Sequence, residues 1–447
     1  MQKIVTVIGI GRVGLPLALL ISSKGYTVYG IGRNESKIDL LKKGIMPFKE
    51  EGGNLLKKNI NKTFIPTTNY EFAKKSNIII LTLGTPIDEN MNPVLSQIDS
   101  AINKLIPFLQ KKQLIILRST VSPQTTEYVK EKIEMSTKLK VGHDIFLSYC
   151  PERIAQGKAI TETKSIPQII GGINEISSEK SKIFFESIGI KCILTDDVSA
   201  ELAKLFTNMY RYISFAISNE FMVIAENYNK NIHEIINLIN KDYKRGGLAL
   251  PGLTAGPCLF KDGFFLINDN PYLDLITASW KINESLPLFL IKKMKEKTPL
   301  KGKRVLILGV AFKPQIDDIR ESLSFKLRKA LLREHAEVIL HDPFVKNYHS
   351  QEVLKNLDDA LKNVDMVFVA TRHNVYSREK KKIISKLSKE TYICDVWNVF
   401  DFNKLVFKAG EINSKKVKGK LLKTSINHSK RKTAGIRATS NNLTNIN

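Results

Sequence analysis

The stretch Lys3-Ile4-Val5-Thr6-Val7-Ile8 runs directly into Gly9-Ile10-Gly11-Arg12-Val13-Gly14, and this junction decides the fold. The first six residues are mostly apolar and β-branched, which is typical of a buried strand. The next six match the G-x-G-x-x-G spacing, and an apolar run from Leu15 to Leu20 predicts a helix after them. Such a turn lets a pyrophosphate approach the backbone at the helix N-terminus. We therefore predict dinucleotide binding through Gly9, Gly11, Arg12, Val13 and Gly14.

Further strand and helix patterns extend this unit into an α/β fold. A second strand is predicted at 27–31, and buried-strand candidates follow at 77–81, 113–117 and 144–147 with helical stretches between them. This alternation predicts a parallel, doubly wound sheet to about residue 195. A second strand–turn–helix begins at 304–309. With strand patterns at 337–340, 364–369 and 392–394, it predicts a second, smaller α/β lobe.

A long helical pattern separates the two lobes. From Ser199 to about Asn240, apolar residues recur at three- and four-residue steps. Ser199 is the predicted N-cap, and Glu201 lies in the predicted first turn. An apolar stripe of this length needs a partner, so the helix is expected to join the lobes and to form a subunit interface.

The predicted fold is two Rossmann-like, doubly wound lobes joined by a long central helix and a helical dimerisation domain. The expected boundaries are 1–195 for the dinucleotide-binding domain, 196–298 for the helical domain, 299–410 for the second α/β domain and 411–447 for a basic tail.

Composition limits the class of protein. The 447 residues exceed one ordinary core, and 43% apolar with 25% charged residues is typical of a soluble globular protein. Cys150, Cys192, Cys258 and Cys394 lie far apart, which argues against a disulfide framework or a structural zinc site and for a reducing compartment. The sequence contains no apolar run near the roughly 18 residues that a bilayer crossing needs. We expect a cytoplasmic protein.

The net charge of +25 is partly local, because the segment after Glu411 carries many lysines and arginines and no acid. This segment is rich in Ser, Asn and Thr and cannot bury enough surface to order itself. A solvated basic tail is the expected reading. The alternative is a tether for nucleic acid or for an anionic membrane.

Cys258 lies in the glycine-rich stretch Pro251-Gly252-Leu253-Thr254-Ala255-Gly256-Pro257-Cys258-Leu259-Phe260-Lys261-Asp262. Small residues let a ligand come close to the sulfur, and a neighbouring ammonium favours the reactive thiolate. A nucleophilic thiol together with a nicotinamide cofactor indicates an oxidation that passes through a thioester. A small core cysteine is the alternative.

Three further candidates come from spacing. Lys204 and Asn208 lie four residues apart and share a helix face, so they could stabilise an oxyanion, although a solvated surface is the usual reading of such a pair. Glu152 follows a strand, where open α/β sheets bind ligands, and is a candidate acid or base.

The end of the second strand, Gly30-Ile31-Gly32-Arg33-Asn34, lacks the acid that normally bonds a ribose 2′-hydroxyl. Arg33 could neutralise a 2′-phosphate instead, so NAD and NADP both remain open.

Together these motifs resemble the nucleotide-sugar 6-dehydrogenases, the family of UDP-glucose, GDP-mannose and UDP-N-acetylhexosamine dehydrogenases. The resemblance covers residues 1–405. Besides the glycine fingerprint it rests on Gly84-Thr85-Pro86, Ser119-Thr120-Val121, Pro151-Glu152-Arg153, Lys204 with Asn208, Gly256-Pro257-Cys258 with Lys261-Asp262, and Gly309 to Ser322. It implies oxidation of a UDP-sugar C6 alcohol to a carboxylate with NAD or NADP, by a homodimer or higher homo-oligomer. The motif variants are most similar to UDP-N-acetylmannosamine enzymes, and UDP-glucose is the alternative substrate.

The resemblance also implies residue roles. Cys258 would carry the thioester, Lys204 and Asn208 would stabilise oxyanions, Asp262 would support the lysine and a water, and Glu152 would be the base for hydrolysis. Thr120 would position water or substrate near the nicotinamide. The implied cofactor contacts beyond the fingerprint are Arg33, Thr85, Pro86 and Thr120. The implied substrate contacts are Glu152, Arg153, Lys204, Asn208, Arg245, Gly256 and Lys313.

Four positions depart from the family pattern: Gly32, Gln156, Ala255-Gly256-Pro257 and Trp397. They leave two other functions to weigh. One is a two-electron 3-hydroxyacid-type dehydrogenase, which needs no nucleophilic cysteine. The other is a non-catalytic binder of nucleic acid that works through the basic tail, which the density of active-site motifs disfavours.

Overall fold

The computed structural model of the chain describes residues 3–254, 256–268, 270, 272–349 and 351–412. Ala255 and the predicted basic tail from residue 413 onward lie outside the described residues. Within the described part, two α/β sheets are separated in the chain by a long helical segment.

The N-terminal sheet contains eight strands in the described residues. They are β1 (Ile4–Ile8), β2 (Thr27–Ile31), β3 (Phe64–Thr67), β4 (Ile78–Leu81), β5 (Leu114–Leu117), β6 (Phe146–Tyr149), β7 (Gln168–Gly172) and β8 (Cys192–Asp196). Their spatial order is β3-β2-β1-β4-β5-β6-β7-β8, so the order reverses beside β1. Ligands bind at such a switch point in open α/β sheets, and the glycine fingerprint follows β1 directly.

The direction of the last two strands differs from the prediction. Strands β1 to β6 are parallel, as expected, but β7 pairs antiparallel with β6, and β8 runs parallel to β7. The prediction of a parallel sheet to residue 195 was therefore wrong beyond β6. Apolar patterning is the same for a strand read in either direction, so it carries no information on pairing direction.

Helices cover both faces of this sheet. They are α1 (Gly14–Ser23), α2 (Glu35–Lys42), α3 (Gly53–Asn59), α4 (Ser96–Leu105), α5 (Thr125–Ser136), α6 (Ala159–Ser165) and α7 (Glu175–Ser187). Along β5, Leu114 and Ile116 pack into one apolar cluster, whereas Ile115 and Leu117 pack into another on the opposite face. Burial on both faces explains why these strands read as continuous apolar runs rather than as alternating ones.

The central helical segment is divided differently from the prediction. It comprises α8 (Asp197–Asn227), α9 (Ile232–Asn240), α10 (Leu259–Asp262), α11 (Phe264–Ile267) and α12 (Asp274–Lys295). The N-cap of α8 is Asp196, whose side chain accepts a hydrogen bond from the Ser199 amide at 2.8 Å, so Ser199 is not the cap. The helical pattern to Asn240 is two helices, because Asn229 takes a left-handed conformation between them (φ 53°).

Glu201 has a different role from the one that the helix pattern suggested. Its carboxylate is buried and accepts hydrogen bonds from the backbone amides of Gln124 and Thr126 and from the Thr126 hydroxyl, at 2.6–2.8 Å. These donors belong to the first turn of α5, so Glu201 satisfies amides that the helix itself leaves unpaired. The contact ties α8 to the loop that carries Thr120.

A pH-dependent effect on stability is expected from Glu201. Burial raises the pKa of this carboxyl from 4.5 to about 7, although the hydrogen bonds from Thr126 and Gln124 oppose the shift. Between these pH values the unfolded chain ionises while the folded carboxyl keeps its proton, so the free energy of unfolding falls as pH rises. Glu201→Gln does not titrate. As pH rises from 4.5 to about 7, the free energy of unfolding of Glu201→Gln should therefore increase by about 3 kcal/mol relative to that of the parent. Urea unfolding of both proteins at several pH values measures this change. A difference in unfolding free energy that stays constant with pH would contradict the burial argument.

The second lobe confirms the predicted strands. Its sheet, within the described residues, is formed by β9 (Arg304–Leu308), β10 (Glu337–His341), β13 (Met366–Val369), β14 (Tyr392–Cys394) and β15 (Val406–Lys408), in the order β10-β9-β13-β14-β15. Strand β15 is antiparallel to β14, and the other pairs are parallel. A separate hairpin pairs β11 (Asn347–Tyr348) with β12 (Gln351–Glu352). The helices are α13 (Leu323–Arg333), α14 (Leu357–Ala360), α15 (Asn374–Arg378) and α16 (Lys380–Lys386).

None of the helices in the described ranges combines the length and the apolar character that a membrane crossing requires.

Candidate active site

The three fingerprint glycines have different surroundings. A Cβ added at Gly9 would lie 2.5 Å from the Thr82 carbonyl oxygen, and one at Gly14 would lie 2.2 Å from Thr82 Oγ1. At Gly11 the nearest atom would be 4.0 Å away, which is open space. Gly9 and Gly14 therefore let the turn and α1 pack against the chain after β4, whereas Gly11 leaves the backbone free for a ligand. These surroundings fit a dinucleotide pyrophosphate.

This difference gives a matched pair of variants. Gly14→Ala should destabilise the protein by about 1–3 kcal/mol, because its methyl group overlaps backbone and Thr82 atoms. Gly11→Ala should leave the unfolding temperature nearly unchanged and still weaken NAD binding by roughly tenfold or more, because its methyl group points into the ligand's space. Thermal unfolding and calorimetric titration with NAD measure both. Equal destabilisation by the two variants would contradict the argument.

Arg12 lies inside the fingerprint, but its side chain reaches the second lobe. Its Nη1 is 2.6 Å from Asp317 Oδ1, and its Nε is 3.3 Å from Asp318 Oδ2. Lys313, also in the second lobe, donates from Nζ to the Gln156 carbonyl at 2.9 Å. Both contacts cross between the lobes at the fingerprint and at the loop after β6, so the predicted cofactor residue Arg12 and the predicted substrate residue Lys313 both lie at the boundary between the lobes.

Asp262 organises the predicted cysteine site. This side chain is fully buried; its Oδ2 accepts from Asn208 Nδ2 at 2.6 Å, and its Oδ1 accepts from Lys261 Nζ at 2.9 Å. Lys204, one turn before Asn208 on α8, is also buried. The fold thus brings together the helix-borne lysine and amide with the residues that follow Cys258.

A chain of hydrogen bonds continues toward the dinucleotide site. Lys261 Nζ donates to Thr85 Oγ1 at 3.3 Å, and Thr85 Oγ1 donates to the Thr120 carbonyl oxygen at 2.6 Å. Two predicted cofactor residues are therefore joined to the cysteine loop through Lys261, whose ammonium was expected only to favour the thiolate.

Cys258 is an exposed residue as a whole, although protein atoms surround its sulfur. This burial, and secondly the charge of Asp262, raise the pKa of the thiol above its usual value; Lys204, Lys261 and Arg320 act in the opposite direction. The expectation that a neighbouring ammonium would favour the thiolate is therefore outweighed here. Arg320 was missed as a candidate, although it stands in the Gly309 to Ser322 motif.

The loop before Cys258 is held between α8 and the second lobe. Asn219 on α8 bonds both the Gly252 amide (2.8 Å) and its carbonyl (3.3 Å). A Cβ at Gly252 would lie 2.2 Å from the Trp397 ring, and one at Gly256 would lie 2.5 Å from the Phe312 ring. The Gly256 amide also donates to the Glu321 carbonyl at 3.2 Å. Trp397, one of the departures from the family pattern, thus packs on the cysteine loop.

Comparison with known proteins agrees with this architecture. The chain matches the NAD binding domain of the UDP-glucose/GDP-mannose dehydrogenase family over residues 3–188, its central domain over 198–285 and its UDP binding domain over 306–402. It is 31% identical to a UDP-N-acetyl-D-mannosamine dehydrogenase from Methanocaldococcus jannaschii, over 89% of this chain and 93% of the relative.

The chain belongs to the UDP-glucose/GDP-mannose dehydrogenase family. Among solved structures, it is similar to the UDP-D-ManNAc dehydrogenase of Pyrococcus horikoshii (TM-score 0.82, 28% identity, 89% of this chain and 96% of the other). It is also similar to the UDP-N-acetyl-mannosamine dehydrogenase of Staphylococcus aureus (TM-score 0.79, 30% identity, 89% and 95%).

The protein is thus an NAD-dependent nucleotide-sugar dehydrogenase with a UDP-binding second lobe. This result decides against the 3-hydroxyacid-type enzyme and against the non-catalytic binder.

Glu152 of this dehydrogenase is held by an arginine that sequence reasoning missed. Glu152 Oε2 accepts from Arg118 Nη2 at 2.7 Å and from Nε at 3.0 Å, and its Oε1 accepts from the Ile154 amide at 2.8 Å. Arg118 Nη1 also donates to Gln168 Oε1 (2.6 Å) and to the Cys150 carbonyl (3.2 Å). The guanidinium is buried, so it fixes both the charge and the orientation of Glu152. A lone arginine directly after the apolar run of β5 was the available signal.

The other predicted residues of the dehydrogenase have varied settings. Arg153 donates from Nη2 to the Pro167 carbonyl. Val13 is the residue before α1, and the Pro86 carbonyl accepts from the Val94 amide. Arg245 is exposed after α9, with its guanidinium 5.3 Å from the Tyr243 ring centroid. No described hydrogen bond joins Arg245 to the residues around Cys258.

Proposed function

We propose that this dehydrogenase oxidises the C6 alcohol of UDP-N-acetylmannosamine to the carboxylate through a covalent adduct on Cys258. The observation that carries the proposal is the placement of Cys258, an exposed residue, near the charges of Asp262 and Lys204. Asn208 is bonded to the same Asp262, and Lys261 of the cysteine loop is bonded to Thr85 of the predicted cofactor site. The substrate is inferred from relatives about 30% identical over most of the chain, which are UDP-N-acetyl-D-mannosamine dehydrogenases. UDP-glucose is the alternative substrate.

The oxidation proceeds in two stages. When bound, NAD supplies a hydride acceptor for each of them. In the first stage the alcohol becomes an aldehyde. The sulfur of Cys258 then bonds to the aldehyde carbon, the C=O π bond breaks, and the thiol proton passes to the aldehyde oxygen, which becomes a hydroxyl. Loss of a hydride from that carbon and of the hydroxyl proton leaves a thioester.

Residues of this chain stabilise each stage. Lys204 and Asn208 are the donors for the oxygen at C6, and Asp262 fixes the Asn208 amide so that no reorientation is required during reaction. Glu152 accepts a proton from the water that attacks the thioester, and the products are a carboxylate and the free thiol. Thr120 positions water or substrate beside the nicotinamide. The residues that contact the UDP-sugar are Glu152, Arg153, Lys204, Asn208, Arg245, Gly256 and Lys313. The residues that contact the dinucleotide are Gly9, Gly11, Arg12, Val13, Gly14, Arg33, Thr85, Pro86 and Thr120.

The test is the reaction stoichiometry with a panel of UDP-sugars. Purified enzyme with NAD should form about two reduced cofactors per UDP-N-acetylmannosamine, and the product should be the uronate by mass spectrometry. UDP-glucose, UDP-N-acetylglucosamine and UDP-N-acetylgalactosamine serve as controls with lower kcat/KM. A one-to-one ratio with aldehyde accumulating would contradict the thioester route, and a preference for UDP-glucose would replace the substrate.

The proposed assembly is a homodimer or higher homo-oligomer, formed through α8. Apolar side chains along this helix are exposed in the single chain, namely Phe206, Tyr210, Ile217, Phe221, Ile224 and Tyr228. Their spacing of three, four or seven residues keeps them on related faces, and such an apolar stripe is rarely left in water. Sedimentation should show an oligomer that Phe221→Lys weakens. A monomer at micromolar concentration would overturn this assignment.

The proposed domain boundaries remain 1–195, 196–298, 299–410 and 411–447, and the proposed location is the cytoplasm.

A further inference from the structure

A cavity of about 260 Å³ adjoins the glycine fingerprint, and the charged side chains in its described lining are all cations. Its lining includes Gly11, Gly32, Arg33, Lys37 and Lys104, and the described lining contains no acidic side chain. This cavity continues from the pyrophosphate turn to the end of β2, so it lies where the adenosine half of a dinucleotide binds in a Rossmann fold.

Two cations of this cavity, Arg33 and Lys104, lie near the same tyrosine, Tyr70. Arg33 lies near Tyr70, where its charge partly offsets the burial that raises the pKa of the Tyr70 hydroxyl. Lys104 Nζ lies 5.7 Å from the centroid of the same ring. Arg33 is exposed, and its hydrogen bond to Gln97 Oε1 is long, at 3.5 Å. Its guanidinium can therefore turn to a ligand at little cost.

The acid that would discriminate against a phosphorylated ribose is missing, and the space for it is small. A Cβ at Gly32 would lie 3.1 Å from Ile10 Cγ1 and 3.2 Å from Ile38 Cδ1, which is tighter than ordinary packing. Asn34, the next polar side chain, is already engaged, because its Oδ1 accepts from the Lys37 amide at 2.9 Å and from Ser36 Oγ at 2.7 Å. No carboxylate among the lining residues is placed to repel a second phosphate or to select a free 2′-hydroxyl.

We propose that this enzyme accepts NADP as well as NAD, with the ribose 2′-phosphate bound by Arg33 and by the flanking lysines Lys37 and Lys104. A 2′-phosphate is a dianion at neutral pH, and a guanidinium can bond it with two parallel N–H groups. Arg33 would then be a residue that determines cofactor specificity in a domain described as NAD binding.

The test is calorimetric titration of the full chain with NADP and with NAD, without sugar, so the result does not depend on the proposed substrate or on Cys258. NADP should bind within tenfold of NAD or more tightly. Likewise 2′,5′-ADP should bind more tightly than 5′-ADP, and this advantage should shrink as salt is added.

The decisive variant is Arg33→Ala. It should lower NADP affinity by about tenfold or more, and by at least about fivefold more than it lowers NAD affinity, because only NADP carries the 2′-phosphate. Arg333→Ala, at an exposed position on α13, is the matched control and should change neither. The proposal is overturned if NADP binds more than tenfold more weakly than NAD. It is also overturned if Arg33→Ala weakens the two dinucleotides equally or leaves NADP binding intact.

Discussion

Cys258→Ala is expected to reduce the rate of uronate formation from the UDP-sugar by about a thousandfold or more. Without the sulfur no thiohemiacetal forms, so the second oxidation has no covalent intermediate from which the hydride can leave. Cys258 is an exposed residue and its substitution removes one sulfur atom, so the change should leave the unfolding temperature nearly unchanged. Reduced cofactor and uronate, measured together, separate loss of the second stage from loss of both.

Cys192→Ala is the matched control for this variant. Cys192 is half-buried at the start of β8, and the charges that act on its thiol are those of Glu186, Lys182 and Glu179 on α7 rather than that of Lys204 on α8. Its alanine variant should keep near-parental kcat. Retention of more than about a tenth of the parental rate by Cys258→Ala would mean that the sulfur does not carry the acyl group.

Arg118→Met is expected to lower the free energy of unfolding by about 3–5 kcal/mol. The substitution leaves the buried carboxylate of Glu152 without its charged partner, and it also removes the donors to Gln168 and to the Cys150 carbonyl. An unpaired charge in a dry site costs far more than the ion pair itself contributes. Activity should also fall, because Glu152 loses the contact that orients it. Urea unfolding and the rate of uronate formation measure the two effects.

The double variant Arg118→Met with Glu152→Gln separates charge from packing. Since it removes the stranded carboxylate, it should recover part of the stability lost by Arg118→Met alone, although activity stays low. A double variant no more stable than Arg118→Met would show that lost packing, rather than the unpaired charge, dominates.

The positions of Arg118 and Glu152 in the chain show why the sequence could mark Arg118 as unusual but could not pair it with Glu152. Glu152 lies 34 residues after Arg118 in the chain. Arg118 follows β5 and Glu152 follows β6, so no local pattern links them. The pair forms because β5 and β6 are neighbours in the sheet and their carboxyl ends meet at one edge. Similarly, the Arg12–Asp317 contact joins residues 305 positions apart.

The sequence by itself determined the strand–glycine–helix unit, the existence of a second α/β lobe and the family, because burial period and turn chemistry act over a few residues. The roles of Cys258, Lys204, Asn208 and Asp262 stay predictions, although the fold brings these residues together. Tertiary structure alone decided the antiparallel direction of β7, the capping of α5 by Glu201, the raised pKa of the Cys258 thiol and the packing of Trp397 on Gly252. Each of these depends on which distant segments meet, and on how much water they exclude where they meet.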